Sequence, residues 1–307
     1  NKFTEYTDII ELRSDFLNTD ELGALSRFPA QLPVPVILTH RRKADGGCYD
    51  GPESARLDIL KSALRGEKTF AYIDLEEDIG DPAFEAELAE KNIRVIRSIH
   101  DFDGIPADLE ERLEALKRNP DDIPKCAVMI NSTADCVKLI RIMKRQKTEE
   151  NIILGMGPFG FCTRILAPIF NTFLTFTSTG SAAPGHITPD ELVETYNFRN
   201  ITSETGIYGV IGNPVMHSFS PRIHNPGFQR LGLDHVYLPF QVDNLEAFFD
   251  LAGELNIRGV SVTIPHKQDI IPSLSEASES VRKVGACNTL YRTSYSGEVR
   301  WHGENTD

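Results

Sequence analysis

The chain has 307 residues, 40% hydrophobic and 25% charged, the make-up of a globular protein with room for about two domains. A formal net charge of −13 argues against nucleic acid or an anionic membrane as a partner and leaves any small anionic substrate to local arginines. Five scattered cysteines without CxxC spacing predict reduced thiols, no disulfide framework and no zinc site, and no apolar run approaches the roughly 18 residues of a membrane span.

From residue 8 to about 200, short apolar runs alternate with amphipathic stretches. The candidate strands are DIIELR (8–13), PVILTHR (35–41), TFAYIDLE (69–76), IRVIRSIH (93–100), IPKCAVMI (123–130), NIILGMG (151–157) and LTFTSTG (174–180). Helix candidates separate them: 52–64, 82–92, 107–119, 134–146 and, at the end, 189–197. Strands alternating with helices predict a parallel sheet covered by helices. The count approaches a (β/α)8 barrel and falls one strand short, with an open doubly wound sheet as the competing architecture. Charged residues gather at the strand ends, at Glu11 and Arg13, Arg41, Glu76, and His100 with Asp101, where such barrels keep their chemistry.

Two neighbouring runs carry the residues of greatest interest. One leads into His100 and the other opens on Lys125, with a helix-length stretch between them, so parallel pairing turns both toward one space. A lysine among apolar neighbours can attack a ketone to form a Schiff base, and a nearby histidine can move a proton from the adjoining carbon. Lys125 sits at the start of its run, so either the strand begins earlier, at Asp122, or the lysine side chain reaches up the interior toward His100.

GMGPFG (155–160) matches the GxGxxG string after a strand. The next strand ends without the acidic residue that would hold a ribose, so a tight βα loop is the better reading, with Arg164 nearby to hold an anion. The rhythm resets at NITSETG (200–206), a candidate linker. A second unit then runs through IYGVIGNPVMHSFSP (207–221), a helix around 224–232, HVYLPFQV (235–242), a helix over 244–256, RGVSVTIPHK (258–267), a helix over 275–285, ACNTLYR (286–292) and a closing hairpin.

Residues 1–202 resemble type I 3-dehydroquinate dehydratase through IELR, LTHRRKADGG, IDLE, SIHDF, IPKCAVM, GMGPFGFCTRIL and AAPGH. The resemblance implies a (β/α)8 barrel, incomplete at its N-terminus by about one βα unit, that needs no cofactor. It implies Lys125 as the Schiff-base lysine, His100 as the proton-transfer residue, and Glu11, Arg13, Arg41 and Arg164 as substrate-binding. The sequence departs from the family pattern at Asp45, an orienting acid usually Glu, and at the substrate-loop positions Ala182 and His186, usually Ser and Gln. Weakened substrate binding is the expected consequence.

Residues 203–307 resemble the substrate-binding domain of shikimate dehydrogenase through GNPVMHSFSPRIHN, VSVTIPHK, GACNTL and GENTD. That likeness implies Ser218, Ser220, Thr263 and Asn288 as shikimate-binding and Lys267 with Asp307 as the catalytic pair. The order of the two halves is similar to the bifunctional fusion of plants, in which an NADP-binding domain follows, and that domain is expected to be absent from this chain. The implied ligands are 3-dehydroquinate, 3-dehydroshikimate and shikimate, and the implied compartment is cytoplasm or plastid stroma. The rival readings are a non-catalytic binding protein with a decayed site and a Schiff-base aldolase barrel.

Overall fold

The computed structural model describes residues 4–146, 150–178, 187–295 and 298–307. Two compact units emerge: Asn1–Phe102, Pro106–Val128 and Glu150–Ile152 form one, and Asp103–Ile105, Met129–Glu149 and Ile153–Asp307 form the other.

The first unit holds strands β1 (Ile10–Arg13), β2 (Val36–Thr39), β3 (Tyr72–Glu76), β4 (Arg94–Asp101) and β5 (Ile123–Met129), paired in parallel in chain order. Strand β6 (Ile152–Met156) follows β5 in the sheet order. Between the strands lie α1 (Thr19–Leu22), α2 (Glu53–Ala63), α3 (Pro82–Glu90) and α4 (Leu109–Leu116). The helix starts are written locally. Asn18 closes a capping box with Glu21, and Asp81 accepts from the Phe84 N–H with Pro82 in the first turn of α3.

Strand β2 is buried along its whole length, as a strand covered on both faces should be. Period-two alternation then splits β3. Ile73 and Leu75 join Leu38, Leu60, Leu64, Phe84 and Leu88 in an apolar core, while Asp74 and Glu76 turn to the opposite face. That second face is polar yet buried, and it carries the candidate site.

The sheet differs from the expected strand count. Six strands form it, with β1 and β6 as its edges, and the described part of LTFTSTG, residues 174–178, is not a strand. An apolar alternating run becomes a strand only if a neighbour offers ladder partners. The amide of Ser178 instead donates to the Ile187 carbonyl, a local closure.

In the second unit, α5 (Thr133–Gln146) buries Val137, Ile140 and Met143, the helical stripe expected from its spacing. α6 (Gly157–Ile165) follows β6 directly. The remainder builds a six-stranded mixed sheet from β7 (Gly206–Gly212), β8 (His235–Gln241), β9 (Gly259–Val262), β10 (Glu276–Ala277), β11 (Thr289–Tyr295) and β12 (Glu298–Glu304), in the order β10-β12-β11-β9-β7-β8. Strands β8, β7 and β9 run parallel, and β11 is antiparallel to both β9 and β12. Helices α7 (Ser220–Arg230), α8 (Leu245–Leu255), α9 (His266–Asp269) and α10 (Glu279–Val284) complete it. α7 starts at Ser220, before the expected 224, because Pro221 fits the first turn; Pro226 inside it forfeits one helical hydrogen bond.

Helix α5 belongs with α8. Glu254 on α8 takes Arg141 and Lys144 of α5, each at 2.7 Å. Asp243, just before α8, accepts from both the Thr133 N–H at 2.9 Å and its hydroxyl at 2.6 Å, capping α5 from outside. Asp243→Ala is therefore expected to lower stability by about 1 kcal/mol, the usual loss for an N-terminal cap, read from urea denaturation.

Candidate functional site

Strand register builds the first site. Ser98 lies beside Lys125, His100 beside Ala127 and Glu76 beside Ser98. Lys125 therefore starts one layer, two residues, below His100, as its place at the head of the run requires. Its ammonium is buried and reaches across to Asp74, with Nζ 2.7 Å from Oδ2.

Asp74 is the hub of this face. Besides Lys125 it holds Arg41 Nη2 at 2.9 Å, and its other oxygen accepts from the Ser98 hydroxyl at 2.6 Å. Arg41 Nη1 in turn donates to Glu76 at 2.8 Å and to Ser98 at 2.9 Å. Arg56, fully buried on α2, closes on the second Glu76 oxygen at 2.8 Å. The result is a connected array of three cations and two carboxylates out of water.

The protonation states follow from these neighbours. Burial would raise the Asp74 carboxyl, but the Arg41 and Lys125 charges outweigh it and hold the group far below the usual carboxylate range. Burial pushes Glu76 upward despite its two arginines, with Asp74 adding repulsion. Burial likewise drives His100 well below the usual histidine value, and the Arg41 and Lys125 charges act in the same direction. These neighbours favour the neutral imidazole, and its Nδ1 has no hydrogen-bond partner among the described residues.

The other expected residues of this site take distinct positions. Glu11 accepts from the Thr39 hydroxyl at 2.8 Å. Arg13 is clamped by Asp15, at 2.8 Å through Nε and 2.7 Å through Nη2, which leaves Nη1 for a ligand. Arg41 Nη1 donates to Glu76 and Ser98 and its Nη2 pairs with Asp74. Asp45 is engaged by Arg42 Nε at 2.7 Å. Arg164 lies on α6 of the second unit. Burial without a carboxylate partner pushes its guanidinium down to about 10, and its Nε has no hydrogen-bond partner. Ala182 and His186 lie outside the described residues.

Asp74, Ser98 and Arg56 were not singled out from sequence. The only signal was a charged residue in the middle of the apolar run YIDLE, at odds with a strand buried on both faces.

A second site lies in the mixed sheet of the other unit, a cleft of about 550 Å³ at the C-terminal ends of β7 and β9. All six residues expected there line it: Ser218, Ser220, Thr263, Lys267, Asn288 and Asp307. Lys267 Nζ donates to Asp307 at 3.2 Å, and Lys267 with Asn288 holds that carboxyl below its usual range. Asn288 Oδ1 collects the Thr306 N–H at 3.1 Å and the Thr289 hydroxyl at 2.9 Å, which fixes the amide. Ser218 Oγ donates to Ser220 Oγ at 3.1 Å and accepts from the Ser220 N–H, at the start of α7. A hydroxyl pair at a helix N-terminus suits an anionic group, and a lysine–aspartate pair across the cleft can pass a proton to or from an oxygen.

Among the described residues no cluster of His, Cys, Asp and Glu could hold a metal ion, and no helix is long and apolar enough to cross a membrane. The glycine string 155–160 has a packing explanation. A Cβ on Gly160 would lie 2.5 Å from the Gly155 carbonyl carbon, and one on Gly155 would lie 2.8 Å from the Gly160 Cα. Those two backbones press on each other, so the loop offers no cradle for a dinucleotide.

Comparison with known proteins finds a match for each of the two segments. Residues 1–203 fit the family model for Type I 3-dehydroquinase, and residues 210–290 fit that for the Shikimate dehydrogenase substrate binding domain. The chloroplastic bifunctional 3-dehydroquinate dehydratase/shikimate dehydrogenase of Arabidopsis thaliana is 33% identical over 308 residues, 98% of this chain and 50% of the relative. Among solved structures, the dehydroquinate dehydratase and shikimate dehydrogenase of S. pombe AroM aligns at a TM-score of 0.52 and 26% identity, over 97% of this chain and 60% of that one. A type I 3-dehydroquinate dehydratase from Clostridium difficile, solved with covalently modified comenic acid, aligns at a TM-score of 0.55 and 26% identity, over 62% of this chain and 82% of that one. The chain thus spans half the length of its Arabidopsis relative.

Proposed function

Because this chain belongs to the type I 3-dehydroquinase family, we propose that residues 1–202 dehydrate 3-dehydroquinate to 3-dehydroshikimate through a Schiff base on Lys125. The carrying observation is a buried lysine paired with Asp74 and, on the adjacent strand, a histidine that burial and the nearby cations keep neutral. The Lys125 amine adds to the ketone and water leaves, giving an iminium that withdraws electrons from the neighbouring carbon. His100 takes the proton from that carbon and returns it to the departing hydroxyl. Hydrolysis of the iminium then frees the product and the lysine. Glu11, Arg13 through its spare nitrogen, Arg41, Arg164, Ala182 and His186 hold the substrate's hydroxyls and carboxylate. Asp45 is the orienting acid.

The test is reductive trapping. Incubation with 3-dehydroquinate and borohydride should add one substrate mass, mapped by peptide sequencing to Lys125. A folded protein that binds 3-dehydroquinate yet gives no adduct would be a binding protein instead.

The depressed His100 value sets a pH expectation. A base is active when unprotonated, so the acid limb of kcat/KM should fall only below pH 6.5, the ordinary histidine range. A limb centred above 6.5 would exclude His100 as the base.

Residues 203–307 supply the binding cleft of a second step, reduction of 3-dehydroshikimate to shikimate. Lys267 and Asp307 pass the proton at the reacting oxygen; Ser218, Ser220, Thr263 and Asn288 hold the ring and its carboxylate. The shikimate dehydrogenase family uses NADP. The 155–160 loop is closed by the contact of its own backbones, and no hydride step is assigned to it. In the complete protein an NADP domain would do this work, in the cytoplasm or the plastid stroma.

A further inference from the structure

The end of the mixed sheet opposite the cleft carries two arginines that break a local rule. Arg258 immediately precedes β9, and Arg292 lies on the antiparallel strand β11. The ladder sets Tyr291 beside Gly259, so Arg292 stands directly across from Arg258, and the Arg292 N–H donates to the Arg258 carbonyl at 2.8 Å. Like charges directly opposite on antiparallel strands destabilise a sheet.

No acid relieves that repulsion. Arg141, Arg222 and Arg300 of the same unit each hold a carboxylate. Among the described residues neither Arg258 nor Arg292 does, in a chain whose net charge is −13. Arg292 Nη2 donates to the Asn256 side-chain carbonyl, a neutral acceptor. Burial and the Arg258 charge both push the Arg292 guanidinium down from its ordinary value. The end of α8 does not need these cations either. Asn256 caps it in the left-handed region, and the Ala252 and Gly253 carbonyls already accept from the Asn256 and Ile257 N–H groups.

Arg258 is exposed and Arg292 half-buried, so an ion from solvent can reach both. A Cβ on Gly206 would lie 2.8 Å from Arg258 Nη1 and 2.7 Å from His235 Nδ1, so the glycine gives the guanidinium room against the start of β7. A guanidinium is a planar fork that matches phosphate oxygens, and two of them can share one dianion. Breaches of a local rule concentrate at functional sites. We propose that Arg258 and Arg292 form an anion site, at the end of the sheet away from the cleft, for a phosphate dianion, free or carried as a monoester. The bound anion turns the opposed pair from a repulsion into a clamp on β9 and β11. The site does not depend on what the cleft binds.

The test titrates the 307-residue chain with inorganic phosphate and with glycerol 3-phosphate at constant ionic strength, following the backbone amide signals of Arg258, Gly259 and Arg292 by NMR. Saturating shifts are expected with one or both, and the tighter of the two identifies the source. Arg258→Gln and Arg292→Gln should each raise the half-saturation concentration by about 10-fold or more, the scale of a charge-assisted hydrogen bond. Melting curves give a second readout: phosphate should raise the melting temperature of the wild type more than that of either variant. Shifts that chloride reproduces at the same ionic strength would mean screening only and overturn the proposal, as would an unchanged half-saturation in either variant. Variants that melt lower than the wild type in chloride, with no saturable phosphate effect in the wild type, would make the arginines supports of the sheet and overturn it too. Should one variant fail to fold, the other decides.

Discussion

Asp74→Ala is expected to lower the stability of the first unit by about 3–5 kcal/mol, the scale on which removing one partner strands buried charge. Asp74 pairs with Lys125 at 2.7 Å, and it also neutralises Arg41. Its loss would leave Lys125 and Arg41 facing each other out of water and release the Ser98 hydroxyl from its 2.6 Å acceptor. Two cations at ion-pair distance from one oxygen cannot both be rescued by Glu76, which already serves Arg41 and Arg56. The pH dependence carries the same sign. A carboxyl whose folded value is depressed stabilises fully above its ordinary range and loses that contribution as pH falls through the folded value. Urea unfolding at pH 7 and at pH 3 measures both; an Asp74→Ala protein within about 1 kcal/mol of wild type would show that the array is not holding the unit together.

Lys125→Met should behave in the opposite way. Removing the lysine leaves Asp74 still paired with Arg41 at 2.9 Å, so no buried charge is abandoned, and a methionine of similar length fills the space. Stability should change little, while 3-dehydroquinate turnover should fall by roughly 10⁴-fold or more, the scale of losing a covalent nucleophile. The borohydride adduct should vanish in the same protein. Turnover within about 10-fold of wild type would remove Lys125 from the chemistry. The two predictions share one ion pair and separate its ends: the acid holds the structure, the lysine reacts.

What could be read from sequence divides along a physical line. His100 and Lys125 were legible because each interrupts or ends an apolar run, and parallel pairing brings neighbouring runs together. Their offset was legible too, since Lys125 heads its run, and the register bears this out in placing Lys125 beside Ser98 and Ala127 beside His100. The cleft residues were legible as motif letters. Asp74 was not, because a carboxylate in mid-strand has no local signature; its meaning depends on which cations the neighbouring strands deliver to its face. The described part of the run at 174–178 differs in the other direction, since its alternation is a strand pattern but strand formation requires a partner.

The contact of α5 with α8 bears on how such a chain could be taken apart. By ancestry the seam falls near residue 203, between the two matched families. By cohesion it does not, because α5, from the first family's segment, is capped by Asp243 and ion-paired to Glu254 from the second. A protease nick at the exposed residues 203–204 would break the polypeptide without separating those helices. A gene split there would part α5 from the Asp243 cap and the Glu254 ion pairs it meets in this chain, at a cost set by those exposed contacts.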